Sequence, residues 1–290
     1  LLLGFVDRPQ REDPIRLYGH EGDRDLWRLA QARLYLRGVA AELGEDPVNA
    51  LDPGAPQRTG MDAAVVNPPG NTPSWHNPDL IVESDPRWLY GVPPKEGGLL
   101  WLQHTLSCLG RGGVMAILLK SVTLSSANRQ ERQIRLGLLE SGLLEAVILL
   151  PGRLFYNTKA SMSLWILRKD RRREEQTHVL MVDADDQDAA ADSLWPDSQA
   201  RERLCQVYRT FRQGKRGGQP GFYETVPVEE ICGRAGDLDP RGYLRYQTEP
   251  LPTLEELEQE ERELMEEVDG LLTLSRQILW RLTKGRYAEL

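Results

Sequence analysis

The apolar run Asp62-Ala63-Ala64-Val65-Val66 is stopped at once by Asn67-Pro68-Pro69-Gly70. Such a short apolar run bounded by turn residues reads as a buried strand. Neither proline can donate to a sheet ladder, so the strand has to end there. An amide is thereby placed at the carboxyl end of a buried strand, where open α/β sheets bind ligands. The surrounding pattern fits such a sheet. Residues 15–21 read as a short strand, 25–39 as a helix through Leu26, Leu29, Leu34 and Leu36, and 46–60 as a Pro/Gly-rich connection. Residues 99–109 predict a helix closed by the turn Gly110-Arg111-Gly112-Gly113, 114–119 a buried strand, and 129–141 a helix ended by Gly142. The closely spaced segments 145–150 and 161–167 predict an antiparallel finish, and 178–182 a further strand. Strands alternating with helices imply an α/β layer fold with a largely parallel sheet.

With 290 residues and about 100–200 per domain, one large domain with an appendage is expected. The pattern divides the chain at 1–182, 183–250 and 251–290, the last being an amphipathic helix with Leu254, Leu257, Leu264, Val268, Leu271, Ile278 and Leu282 at spacings of three, four or seven. That stripe needs a partner surface. Hydrophobic residues at 40% and charged residues at 28% exclude a wholly disordered chain, and no apolar run approaches the roughly 18 residues of a membrane span. The opening Leu1-Leu2-Leu3-Gly4-Phe5-Val6 has no basic leader, so no signal peptide is expected. Cys108, Cys205 and Cys232 lie far apart, which suggests neither a disulfide framework nor a zinc site and points to the reducing cytoplasm. His20, His76, His104 and His178 have no ligand-like spacing, so no metal is expected. A net charge of −8 argues against unaided DNA binding, although much of the acid sits at 255–267. The basic cluster at 168–173 reads either as a phosphate contact or as a solvated charge run.

The side-chain carbonyl of Asn67 and the backbone carbonyl of Pro68 can both accept from one exocyclic amine, and the proline rings hold those acceptors still. Beside that reading stands a plain one, in which Asn-Pro-Pro only ends the strand. The flanking sequence favours the first. Asp62–Pro69 resembles the Asp/Asn-Pro-Pro-aromatic motif of S-adenosylmethionine-dependent amino methyltransferases, which act on adenine or cytosine amines or on a protein glutamine amide. Asp85-Pro86-Arg87-Trp88-Leu89-Tyr90-Gly91-Val92-Pro93-Pro94, Trp101-Leu102-Gln103-His104, Leu150-Pro151-Gly152-Arg153-Leu154-Phe155-Tyr156-Asn157-Thr158 and Leu164-Trp165 are similar to segments of one branch. Leu238-Asp239-Pro240-Arg241-Gly242-Tyr243 is a looser match. That branch is the modification subunit of type I restriction-modification systems, an adenine-N6 DNA methyltransferase.

The resemblance implies a Rossmann-like methyltransferase sheet with a C-terminal helical extension, and S-adenosylmethionine as methyl donor. It implies Asn67, Pro68 and Pro69 as the catalytic loop that holds the N6 amine of a flipped adenine, and Glu21 as the acid that takes the ribose hydroxyls of the cofactor. Implied partners are DNA, a specificity subunit docked on the C-terminal helix, and a restriction subunit. Two departures accompany the match. Gly70 stands where the family has an aromatic, with Trp75 the nearest substitute, and no Gly-rich Asp-Pro-Xaa-Cys-Gly-Xaa-Gly turn precedes Glu21. The chain is therefore expected to be truncated at its N-terminus and to lack the first, central strand of the sheet. A catalytically inactive remnant that keeps only a protein-interaction role is the alternative reading.

Overall fold

The computed structural model describes residues 15–52, 55–69, 84–94, 97–152, 160–184, 198–245 and 254–285. Gly70, Trp75, His76, the opening apolar run and residues 153–159 lie outside the described residues. The chain divides into two compact units, Leu1–Arg245 and Tyr246–Leu290.

The first unit holds two sheets. A small ribbon pairs β1 (Leu17–Tyr18) with β2 (Ala41–Glu42) in parallel, linked by α1 (Arg24–Leu36). Asp23 starts α1 by accepting hydrogen bonds from the N–H groups of Asp25 and Leu26, which satisfies two of the helix's orphan donors. The larger sheet carries β3 (Met61–Val66), β4 (Leu109–Lys120), β5 (Leu144–Leu149), β6 (Met162–Arg168), β7 (His178–Asp183) and β8 (Tyr223–Pro227) in the order β3-β4-β6-β5-β7-β8. β5 and β6 form the expected antiparallel pair. β6 is also antiparallel to β4, and β8 to β7, so the sheet is mixed rather than largely parallel. The difference arises because β6 turns back into the slot between β4 and β5, which sequence spacing alone cannot reveal.

Helices cover both faces of this sheet. Along β5 the side chains alternate with the period of a strand: Val147 and Leu149 pack with α2 (Gly98–Cys108), α4 (Arg129–Glu140) and α6 (Val228–Gly233), whereas Ala146 and Ile148 pack with Phe211 of α5 (Ser198–Arg212). Every residue of β5 is consequently buried, as expected for a strand covered on both faces. Trp165 is fully buried, and its indole N–H donates to Ser163 Oγ at 3.0 Å. A short helix, α3 (Val122–Ser125), follows β4; α4 begins at Asn128, whose side chain accepts from Gln130 and Glu131 N–H, and stops before Gly142 at φ +67.

The glycines Gly110-Arg111-Gly112-Gly113 are strand rather than turn, because β4 starts at Leu109. A bulge in the β3–β4 register falls beside them. A Cβ on Gly110 would lie 2.9 Å from the Gly60 carbonyl carbon, and one on Gly113 2.6 Å from the Met61 oxygen, so only glycine lets the two backbones approach this closely.

The 168–173 cluster is solvated in part, with Asp170, Arg172 and Arg173 exposed, while two of its arginines turn inward. Arg171 is 5% exposed and donates to the carbonyls of Gly142, Leu144, Glu175 and His178. Arg168 turns inward to Glu145, leaving Arg172 to pair with Glu175. Arg171 thereby ties its loop to β5 and β7.

The second unit contains α7 (Leu254–Gly285). Leu264, Met265, Val268, Leu271, Leu272, Leu274 and Ile278 along it are each about half exposed or more. No helix among the described residues is long and apolar enough to cross a membrane.

Candidate active site

β3 ends at Val66, and Asn67, Pro68 and Pro69 follow directly, with Asn67 and Pro69 exposed and Pro68 half-buried. The prolines terminate the ladder as their missing N–H groups require. Asn67 accordingly sits at the carboxyl end of a strand whose neighbour, β4, runs parallel to it. Among the described residues the Asn67 side chain has no hydrogen-bond partner.

Glu21 lies just past β1, in the turn that leads into α1. Its Oε1 accepts the Asp23 N–H at 3.0 Å and its backbone carbonyl accepts the Val48 N–H at 2.9 Å. Among the described residues Oε2 has no hydrogen-bond partner, so one carboxylate oxygen is held by the turn and the other is free to accept from a diol. A carboxylate oxygen at a strand end is an acceptor that suits a ligand's hydroxyl groups.

The two candidate elements stand on different sheets. Among the described residues β3 pairs on one side only, with β4, and β1 on one side only, with β2. Val65 is 39% exposed on an otherwise apolar strand, and Leu26, Leu29, Tyr35 and Leu36 of α1 are all more than half exposed. Among the described residues β3 is thus an edge strand of the larger sheet.

The ribbon is tied to the residues entering β3 by Arg58, which pairs with Glu42 of β2 and lies 5.0 Å over the Tyr18 ring, and a buried cluster that sequence reasoning missed adds a second link. Arg87, 5% exposed, is gripped by Asp85 through Nη2 at 2.6 Å and Nε at 2.9 Å, and its Nη1 lies 3.3 Å from His104 Nδ1. The guanidinium also reaches the Leu51 carbonyl at 3.4 Å, while Leu51, Trp88 and Leu100 form an apolar cluster beneath it. The visible signal was Asp-Pro-Arg, an acid two residues before a base, but its partners lie 36 and 17 positions away. Arg87 can only donate, so His104 Nδ1 accepts and its proton sits on Nε2. Burial, then the charges of Arg87 and His20, lower the His104 pKa to about 4, against the smaller opposing pull of Asp85.

This yields a pH prediction. Because the folded imidazole titrates below its unfolded value, the unfolded chain binds the extra proton first as pH falls. Stability from this group is complete above about pH 6.5 and declines toward pH 4, by about 3 kcal/mol at most. Urea midpoints taken between pH 7 and 4.5 should fall more steeply for the native chain than for His104→Asn; parallel falls would contradict it.

The sequence matches the family described as N-6 DNA Methylase over residues 5–250. This chain belongs to the N-6 DNA methylase family. The type I restriction enzyme HindI methylase subunit of Haemophilus influenzae is 31% identical over 237 residues, covering 79% of this chain and 52% of that protein. The type I restriction enzyme MjaIX methylase subunit of Methanocaldococcus jannaschii is 24% identical over 298 residues, covering 96% and 52%. The chain thus spans about half the length of these curated relatives. Among solved structures, the type I restriction-modification methyltransferase subunit from Streptococcus thermophilus aligns with a TM-score of 0.69 at 24% identity, covering 84% of this chain and 57% of that one. The chain therefore shares its Rossmann-like α/β fold with that methyltransferase subunit. In this fold, Asn67 follows the carboxyl end of β3 in the larger sheet, and Glu21 follows the carboxyl end of β1 in the ribbon.

Proposed function

We propose that this chain is the modification subunit of a type I restriction-modification system and methylates adenine N6 in DNA with S-adenosylmethionine. The observation that carries the reading is Asn67-Pro68-Pro69, solvent-accessible at the carboxyl end of β3 in a chain of the N-6 DNA methylase family. Bound S-adenosylmethionine would supply an electrophilic methyl group. Glu21 would hold the ribose through Oε2. Asn67 and the Pro68 carbonyl would accept the two N–H groups of the adenine amine, orienting the nitrogen lone pair and increasing its electron density. A base can reach these acceptors only after leaving the duplex stack, which costs a few kcal/mol. The work of the site is positioning and polarisation, with no covalent enzyme intermediate.

Sequence recognition would belong to a specificity subunit docked on the apolar stripe of α7, with a restriction subunit completing the assembly in the cytoplasm. This division suits a chain with a net charge of −8, which by itself has little to attract phosphates. A second reading, an inactive chain that retains only a protein-interaction role, draws on the open edges of β1 and β3.

The deciding experiment supplies radiolabelled S-adenosylmethionine to the chain with its specificity subunit and unmethylated DNA, and in parallel with a release-factor-like protein. The expected result is label at adenine N6. Label on the protein glutamine instead would overturn the reading. Label appearing on DNA only when a polypeptide bearing a Gly-rich strand and turn is co-expressed would assign the open edges to strand completion. Absence of label under every condition would leave the inactive reading standing.

A further inference from the structure

We infer that Arg87 is a positioning residue: it fixes the ribbon that carries Glu21 against the sheet that carries Asn67. The inference rests on the reading that these two residues act in one site.

Among the described residues, no ladder joins β1 or β2 to the larger sheet. The ribbon must therefore be held by side chains and loops. The path can be followed bond by bond. Val48 N–H donates to the Glu21 carbonyl at 2.9 Å, Leu51 N–H to Asn49 Oδ1 at 3.2 Å, and Asn49 Nδ2 to Asp52 Oδ1 at 3.1 Å, so residues 48–52 form one turn tied to Glu21. Arg87 donates to the Leu51 carbonyl from both terminal nitrogens, at 3.4 and 3.5 Å. These are long bonds, but they lie in a buried site where Leu51 is 1% exposed.

On the other side, Arg87 is anchored to the main sheet. Its carboxylate partner Asp85 also accepts the Arg87 backbone N–H at 2.9 Å, which closes a rigid Asp-Pro-Arg turn. Gln103 of α2 accepts the Tyr90 N–H at 3.0 Å and donates to the Gly91 carbonyl at 2.9 Å, clamping the same segment to the helix that packs on β3 and β4. His104, one residue further along α2, receives Nη1. The guanidinium stacks 5.0 Å over the Trp88 ring, whose face is buried with Leu51. Every side of the planar fork is therefore committed, and each commitment joins a different segment: 48–52, 85–91 and α2. Lysine carries the same charge but has no fork to reach two of these at once.

The test compares the native chain with Arg87→Lys, which preserves charge and avoids leaving Asp85 unpaired. Hydrogen exchange is read over 45–52 and, as a reference for global stability, over 144–149; S-adenosylmethionine affinity is measured on the same preparations. The expected result is exchange at least tenfold faster over 45–52 with 144–149 unchanged, together with about tenfold weaker cofactor binding. In the methylation assay the KM for S-adenosylmethionine should rise more than kcat falls. Unchanged exchange over 45–52, or an equal increase in both segments, would overturn the inference. If the native chain binds no cofactor, the proposed function fails by that result alone, while the exchange comparison still decides the role of Arg87.

Discussion

Replacing Glu145 by Ala is expected to lower folding stability by about 3–5 kcal/mol, the cost of breaking a buried ion pair by removing one partner. Glu145 is fully buried on β5. Its Oε1 accepts from Arg212 at 2.6 Å, and its Oε2 accepts from Tyr208 at 2.7 Å and from Arg168 at 3.1 Å. Arg168 comes from β6, while Tyr208 and Arg212 come from α5, so one carboxylate ties two strands to the helix covering them. Burial, followed by the Glu145 charge, pushes the Tyr208 hydroxyl up to about 12, so it stays a donor throughout the usual pH range. Without the carboxylate, Arg168 and Arg212 would face one another near Arg171 with no counter-charge beyond Glu175. Such a loss is a large share of a typical 5–15 kcal/mol stability. The contrast is Arg209→Ala, which removes an ion pair to Glu202 in which both side chains are more than 60% exposed and should cost less than about 1 kcal/mol. Urea denaturation of both variants checks the pair. Equal, small losses would show that Glu145 is dispensable.

Asn67→Ala is expected to do the reverse: reduce methyl transfer by about 100- to 1000-fold, the scale of losing one preorganised polar contact to the reacting group, while leaving stability within about 0.5 kcal/mol. Asn67 is exposed at the end of β3, and among the described residues no hydrogen bond ties its side chain to another part of the fold. Asn67→Asp keeps an acceptor oxygen at the same point and should retain a measurable fraction of the rate. Methylation kinetics and urea midpoints on the same preparations separate the two effects. A variant that loses activity only in proportion to lost stability would mean that Asn-Pro-Pro merely ends the strand.

The layers of the fold were readable because they rest on local periodicity. The apolar run at 145–150 announces a strand, whereas the cationic partners of its acid, Arg168 and Arg212, come together only in the fold. Strand order was not readable: the insertion of β6 between β4 and β5 depends on long-range pairing. β2, β8, α3 and α6, at two to six residues each, are too short to impose a period. The glycines at 110–113 looked like a turn because composition reports conformational freedom and not the close approach of Gly60 and Met61. At the site, the strand end at Asn67-Pro68-Pro69 was legible from the residues themselves, while the roles expected of these residues and of Glu21 come only through family resemblance. Arg87 was not, since its role exists only once Leu51 and His104 have been brought to it.

The most direct test of the central claim is equilibrium binding of S-adenosylmethionine to this chain, with Glu21→Ala as the control. The expected result is a micromolar dissociation constant, about −8 kcal/mol, weakened at least tenfold when the carboxylate is removed. No detectable binding by the native chain, or binding that survives Glu21→Ala unchanged, would contradict it.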